Sequence, residues 1–255
     1  MPDETVLVNR PAPGVVEVVV NRPPLNILDS GLQGYLAAVL TRIADLDDLR
    51  CVLFRGAGVR AFSVGADVKE IAADPAPDPW SGVELGAHWS SLLTSLPCLT
   101  ISCIHGYCLG GGLELALCTD VRLAAPDAQF GFPEVRLGLI PGMGGTVRLP
   151  RVVGRAWAKR MVMTGAAISA EQAYAIGLVE EVVADPRSAG LELAASLAAG
   201  GPLAQRTAKA LIDRHVDEAG LRAERAAWHR LWATRDRSEA IAAFLAHRQA
   251  VFTGD

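Results

Sequence analysis

Basic charge is what this chain most plainly lacks: 24 Lys and Arg stand against 28 Asp and Glu in 255 residues, a net charge of −4. Gripping a nucleic-acid backbone calls for the opposite balance, so no nucleic-acid partner is expected. Cysteine is sparse and unpatterned. Cys51, Cys98, Cys103, Cys108 and Cys118 are odd in number, sit in apolar runs and contain no C-x-x-C pair, which argues against a disulfide framework or a zinc site and for reduced packing residues. Charges, Gly or Pro interrupt every apolar run before it reaches spanning length, and no basic-then-apolar leader precedes a cleavage site. A cytoplasmic protein with no membrane partner is therefore expected. Internal repeats are also absent.

What the chain has is apolar bulk. Hydrophobic residues make up 51% of it, enough for a large core in one elaborate domain or one domain with an appendage. Val15 to Val20 and Cys51 to Phe54 read as buried strands, with Leu99 to Ile104 and Val121 to Ala125 as further ones. Between the first two, Leu32, Leu36, Val39, Leu40 and Ile43 recur at helical spacing behind N-cap candidates Asp29 and Ser30. A short helix is predicted from about Gly111 to Cys118, another over Trp157 to Met163, and a third opened by the capping box Ser169-Ala-Glu-Gln172 and closed by Gly177. Leu178 to Val183 is a last strand or a connector. From Asp185 onward, an Ala/Leu/Arg/Glu-rich tail with breaks at Gly200-Gly201-Pro202 and Gly220 predicts three helices that dock on the main domain or on another subunit. The whole reads as a layered α/β fold.

Chemistry concentrates at Ile101 to Leu113, ISCIHGYCLGGGL, where an apolar strand runs into three glycines and then Glu114. Glycines admit a ligand close to the backbone, and a helix starting there aims free N–H groups at an anion. A second carboxylate, Glu134, follows in the Pro/Gly-rich FGFPEVRLGLIPG. In AFSVGADVKE, small side chains at Gly65 and Ala66 leave another N–H unobstructed. Two fixed amides of this kind stabilise a developing oxyanion by about 3 kcal/mol each when water is excluded. Read singly, these residues admit other roles. Glu114 also fits a carboxylate in a first helical turn, Glu134 a loop charge, Asp67 a helix cap and Lys69 a solvated charge. His105 fits a hydrogen-bonded core residue, and Trp80, His88 and Trp89 fit either an acyl pocket or core packing.

Four segments in this order, AFSVGADVKE, GYCLGGGLELALCTDVRLA, AQFGFPEVRLGLIPGMGGTVRLPR and AFLAHRQAVF, resemble the enoyl-CoA hydratase (crotonase) family over nearly the whole chain. The resemblance implies an α/β spiral of ββα units over residues 1–195, and a C-terminal helical trimerisation or cap region over 196–255 in a homotrimer or homohexamer. It implies an acyl-CoA substrate whose thioester carbonyl sits between the amides of Ala66 and Gly111, and reversible hydration of a 2-enoyl-CoA with Glu134 protonating the α-carbon and Glu114 orienting and deprotonating water. By motif position the substrate would also meet Arg22, Leu25, Val64, Asp67, Val68, Lys69, Gly110, Pro133, Pro141 and Gly142. No cofactor or metal is implied, since coenzyme A arrives as part of the substrate.

Departures from the family pattern fall at the phosphate-binding positions. Asn21-Arg-Pro-Pro-Leu-Asn26 lacks the usual lysine, leaving Arg22 to supply charge, and His247 and Gln249 replace frequent lysines, leaving Arg248. PPLNILD also resembles relatives acting on cyclic dienoyl thioesters, whereas Gly142-Met-Gly-Gly145 keeps the commoner hydratase form. A Δ3,Δ2-enoyl-CoA isomerase would usually keep only one glutamate, so both together favour a hydratase. An RNA-binding or scaffold role is disfavoured by the acidic balance.

Overall fold

The computed structural model describes residues 5–73, 80–197, 199–213 and 218–255. Strands β1 (Val6–Ala12) and β2 (Val15–Val20) form an antiparallel hairpin at the edge of a six-stranded sheet, and β2 then pairs in parallel with the strand Cys51–Gly56. All six residues of β2 are buried, including Glu17. Its burial pushes the carboxyl pKa up, but hydrogen bonds from Arg187, Asn9 and Arg55 outweigh that and leave it below the ordinary value. After β3 (Ile27–Leu28), α1 (Ser30–Ala44) begins where Asp29 accepts from Leu32 N, so Asp29 is the cap of the two candidates. Its Leu32, Leu36, Val39, Leu40 and Ile43 are all buried, as their spacing predicts.

The same three-part unit then recurs. Strand β4 (Cys51–Gly56) enters the large sheet, β5 (Ala61–Ser63) enters a smaller one, and β6 (Gly65–Ala66) leads into α2 (Val68–Ala73) and α3 (Trp80–Thr94). Next, β7 (Leu99–Ile104) and β8 (Tyr107–Leu109) lead into α4 (Gly111–Leu117). Finally β9 (Val121–Ala124) and β10 (Gln129–Gly131) lead into a 3-10 helix (Pro133–Leu137) and α5 (Gly145–Thr164), which is two helical stretches joined at Gly154. This is the expected crotonase-like spiral of ββα units. In the large sheet the order is β1-β2-β4-β7-β9 and then the strand Glu181–Val182, and in the small one the strand Ile168–Ser169 followed by β10-β8-β5. Because β8 pairs in parallel with both β5 and β10, the chain leaves these three short strands side by side. That arrangement brings the turns at Ala66, Gly111 and Glu134 to one end of the small sheet.

Strand β11 (Ile168–Ser169), helix α6 (Ala170–Ala175) with its capping box, and β12 (Glu181–Val182) complete the sheets. The tail differs from the sequence expectation. Besides α7 (Pro186–Leu197) and α8 (Pro202–Ile212) it holds α9 (Glu218–Trp232) and α10 (Arg235–Leu245), so among the described residues four helices follow Asp185 rather than three. Gly220 lies in the first turn of α9, where a glycine costs little. The break expected around Gly220 falls between α8 and α9, and a further one falls at Thr234, whose hydroxyl caps α10 by accepting from Arg237 N. Helix α7 packs on β4, β7 and β9, and Lys209 of α8 reaches back to Cys98 O and Asp120, both at 2.7 Å. Helices α7 and α8 thus dock on the main domain.

Candidate active site

Three turns meet here, and close backbone contact is what joins them. Gly65 has φ +86°, and a Cβ on it would lie 2.4 Å from Gly111 N. A Cβ on Gly111 would in turn lie 3.6 Å from Ala66 N. The two amides singled out in the sequence are therefore neighbours across the β6 and α4 turns, a spacing only glycine permits. Behind them, Gly112 packs against Ser63, whose carbonyl oxygen would sit 2.2 Å from an added Cβ. The Ser63 hydroxyl accepts from Gly65 N and donates to Asn26 O at 2.7 Å.

Asn26 is the clamp beneath this turn, and sequence reasoning missed it. Fully buried with φ +52°, it donates to Ala57 O and Ala61 O and accepts from Arg22 N. Leu25 O also accepts from Val64 N. One turn thereby fixes the strand that presents Ala66. Its signal in the sequence was an Asn after Pro-Pro, a residue type that tolerates the left-handed region.

Helix α4 carries Glu114 inward, at 1% exposure. Its Oε1 accepts from Met143 N at 2.7 Å and Gly145 N at 2.8 Å, which fixes the carboxyl in one orientation. Burial raises its pKa, with those two amides and the Arg148 charge acting in opposition. The 3-10 helix brings Glu134 to the same place: a Cβ on Gly110 would lie 3.0 Å from Glu134 Oε1. Glu134 Oε2 is buried and makes no hydrogen bond among the described residues. Burial, with a smaller push from Glu114, raises its pKa to about 7. The pair is thus asymmetric: one carboxyl pinned by two amides, the other holding a proton near neutrality with an oxygen uncommitted.

Most of the other expected substrate positions surround these groups. Leu25 and Val64 are joined by their backbone bond, and a Cβ on Gly110 would lie 3.5 Å from Val64 O. Pro133 opens the Glu134 helix, and Pro141 and Gly142 immediately precede Met143. Val68 and Lys69 are exposed on α2, while Asp67 caps that helix by accepting from Lys69 N. Arg22 is ion-paired with Asp29, and Arg248 is held by both carboxylate oxygens of Glu239 at 2.6 and 2.9 Å. Trp89 is fully buried and donates to Gln33 Oε1, so it is core, whereas His88 is exposed; the Trp80 side chain lies outside the described residues. His105 sits at the end of β7 with a buried, unpartnered Nε2. Arg148, overlooked in the sequence, donates to Met143 O at 2.8 Å and holds the loop that grips Glu114.

Among the described residues no group of three or more His, Cys, Asp or Glu is placed to hold a metal, and no helix is long and apolar enough to cross a membrane. The five cysteines are buried and unpaired.

The family model for enoyl-CoA hydratase/isomerase matches residues 11–255. The "Probable enoyl-CoA hydratase echA8" of Mycobacterium tuberculosis is 37% identical over 256 residues, covering 98% of each chain. The mouse "Enoyl-CoA hydratase domain-containing protein 2, mitochondrial" is 35% identical, covering 96% of this chain and 86% of that one. Among solved structures, the enoyl-CoA hydratase from Bacillus anthracis superposes with a TM-score of 0.95 at 37% identity, covering 99% of this chain and all of that one. Pseudomonas aeruginosa DspI gives 0.93 at 34% identity, covering 98% and 97%. With its spiral of ββα units and its matched sequence over nearly its full length, this chain belongs to the enoyl-CoA hydratase/isomerase (crotonase) family.

Proposed function

We propose that this chain is an enoyl-CoA hydratase, adding water reversibly and to one face of a 2-enoyl-CoA. The thioester oxygen accepts from the N–H groups of Ala66 and Gly111, which draws electrons from the conjugated double bond and makes the β-carbon electrophilic. Water held by Glu114 loses a proton to that carboxylate as its oxygen bonds to the β-carbon. The electron pair of the double bond moves into a thioester enolate held by the two amides, and Glu134 delivers its proton to the α-carbon. Both carboxyls then exchange protons to restore the starting state. This sequence requires no metal or redox cofactor, because coenzyme A enters with the substrate.

The observation that carries this reading is the asymmetry of the two carboxyls. A group poised at about pH 7 suits proton delivery at neutral pH, and a carboxylate oriented by two amides suits holding water. An isomerase is the second reading, since the free Oε2 of Glu134 could by itself move a proton between carbons. Mass analysis of products from a 2-enoyl-CoA and a 3-enoyl-CoA separates the two. Gain of one water from the 2-enoyl thioester supports the hydratase, and conversion of the 3-enoyl thioester with no water gained from either supports the isomerase.

Around the site, Arg22, Lys69 and Arg248 are the cations assigned to the coenzyme A phosphates; pairing with Asp29 and with Glu239 weakens the claims of Arg22 and Arg248. Residues 196–255 are assigned to assembly as a homotrimer or homohexamer. Exposed Trp228, Trp232, Phe244 and Leu245 on that region, and Leu137, Leu139 and Ile140 near the site, give the chain apolar surface to bury against copies of itself. Light scattering on the purified protein reads the number of subunits. Five buried, unpaired cysteines fit the reducing cytoplasm.

A further inference from the structure

We propose that Met143 is the wall that sets which acyl chains this enzyme accepts, admitting short unbranched ones and resisting longer or branched ones; the proposal rests on the acyl-CoA reading above. The backbone of Met143 is fixed from both sides, its N–H by Glu114 and its carbonyl by Arg148. The side chain therefore starts from a rigid point. It is 8% exposed and runs between α3 and α4. Its Cγ and Sδ would each lie 2.3 Å from a Cβ on Gly86, and its Cε 2.4 Å from a Cβ on Gly111. Any side chain at either glycine would have to displace it.

The terminal methyl thus stands over Gly111, whose added Cβ would also lie 3.6 Å from the Ala66 amide. With a thioester oxygen held by those two amides, the carbons of the acyl group extend past this methyl. Gly142, the preceding residue, lies against Val83 of α3, whose Cγ2 would be 3.2 Å from an added Cβ, so the wall continues as apolar surface. Methionine is unbranched, polarizable and free to change rotamer. It can yield to a straight chain of modest length, but only by leaving its slot between the two glycines. One methylene against such a wall changes selectivity by roughly 10- to 200-fold.

The test compares wild type, Met143→Ala and Gly86→Ala on crotonyl-CoA and 2-decenoyl-CoA, with calorimetric binding of saturated butanoyl-CoA and decanoyl-CoA alongside. In Met143→Ala the ratio of kcat/KM for the long over the short substrate rises about tenfold or more, mainly through a lower KM for the long one. Gly86→Ala puts a Cβ 2.3 Å from Met143 Cγ and Sδ, which drives that side chain towards Gly111 and moves the ratio the other way. Binding of the saturated thioesters follows the same order without needing chemistry. Ratios within threefold of wild type in both variants overturn the proposal. If the binding order shifts while no enoyl-CoA is hydrated, the wall stands and the hydratase reading fails; absence of binding by any acyl-CoA refutes both.

Discussion

The backbone N–H of Met143 donates to Oε1 of Glu114 over 2.7 Å, tying the loop before α5 to the buried carboxyl on α4. With Gly145 N at 2.8 Å on the same oxygen, the carboxyl is held without any cationic partner bonded to it. Glu114→Gln keeps an oxygen for both amides and removes only the capacity to take a proton. Hydration by Glu114→Gln is expected to fall about a thousandfold in kcat with KM changed only a few-fold. Steady-state kinetics together with an unchanged thermal midpoint check this, and a parallel rise in KM would point to lost binding instead.

Glu134 makes the pH dependence specific. Hydration requires its protonated form, and burial has raised its pKa to about 7. The kcat/KM for a 2-enoyl-CoA should therefore decline as pH rises through about 7, and that limb should be missing from the residual activity of Glu134→Gln. A profile flat from pH 6 to 9 in wild type would contradict the assignment.

The same shift has a consequence for stability. A carboxyl whose pKa is higher folded than unfolded binds its proton more tightly in the native state, so its contribution favours folding at low pH. That contribution is lost as pH rises from the ordinary 4.5 through about 7. Replacing Glu134 by Gln should stabilise the protein at pH 8 by about 1 to 2 kcal/mol, after discounting for partial solvent screening, and change little at pH 4. Urea denaturation at the two pH values measures the difference.

Close approach at the amide pair predicts a fourth outcome. At Gly65, both φ +86° and Gly111 N only 2.4 Å from an added Cβ oppose any side chain. Gly65→Ala is expected to separate the Ala66 and Gly111 amides and lower kcat/KM at least about a hundredfold. Losing one amide from the oxyanion site should chiefly reduce kcat. Asn26→Ala tests the clamp beneath: with three hydrogen bonds of a buried side chain removed, about 2 to 4 kcal/mol of stability should be lost. Chemical denaturation reads that loss directly.

How much of this was legible in the sequence follows from where each element draws its stability. Strands β2, β4 and β7 are largely apolar runs, helix α1 carries a helical period, and Ser169 with Gln172 spells its capping box, so all could be read locally. Strands of two or three residues such as β3, β6 and β11 carry no period; they exist through pairing with distant partners, Ile27 on Gly65 and Phe130 on Ile168. Gly220 marks the α8–α9 boundary to within two residues, whereas Thr234 caps α10 with no glycine nearby to signal the break. At the site, the glycines and both glutamates stood out as residue types. Met143, Arg148 and Asn26 did not, because a methionine reads as packing and an arginine or asparagine as surface until the fold shows what each one holds.

Hydration of crotonyl-CoA in heavy water enriched in heavy oxygen tests the central claim most directly, since one product records both the proton delivery and the water addition. The account predicts 3-hydroxybutanoyl-CoA carrying one deuterium at the α-carbon and the heavy oxygen at the β-carbon, both on the same face. Deuterium exchange with no oxygen gained, or no product at all, would contradict it.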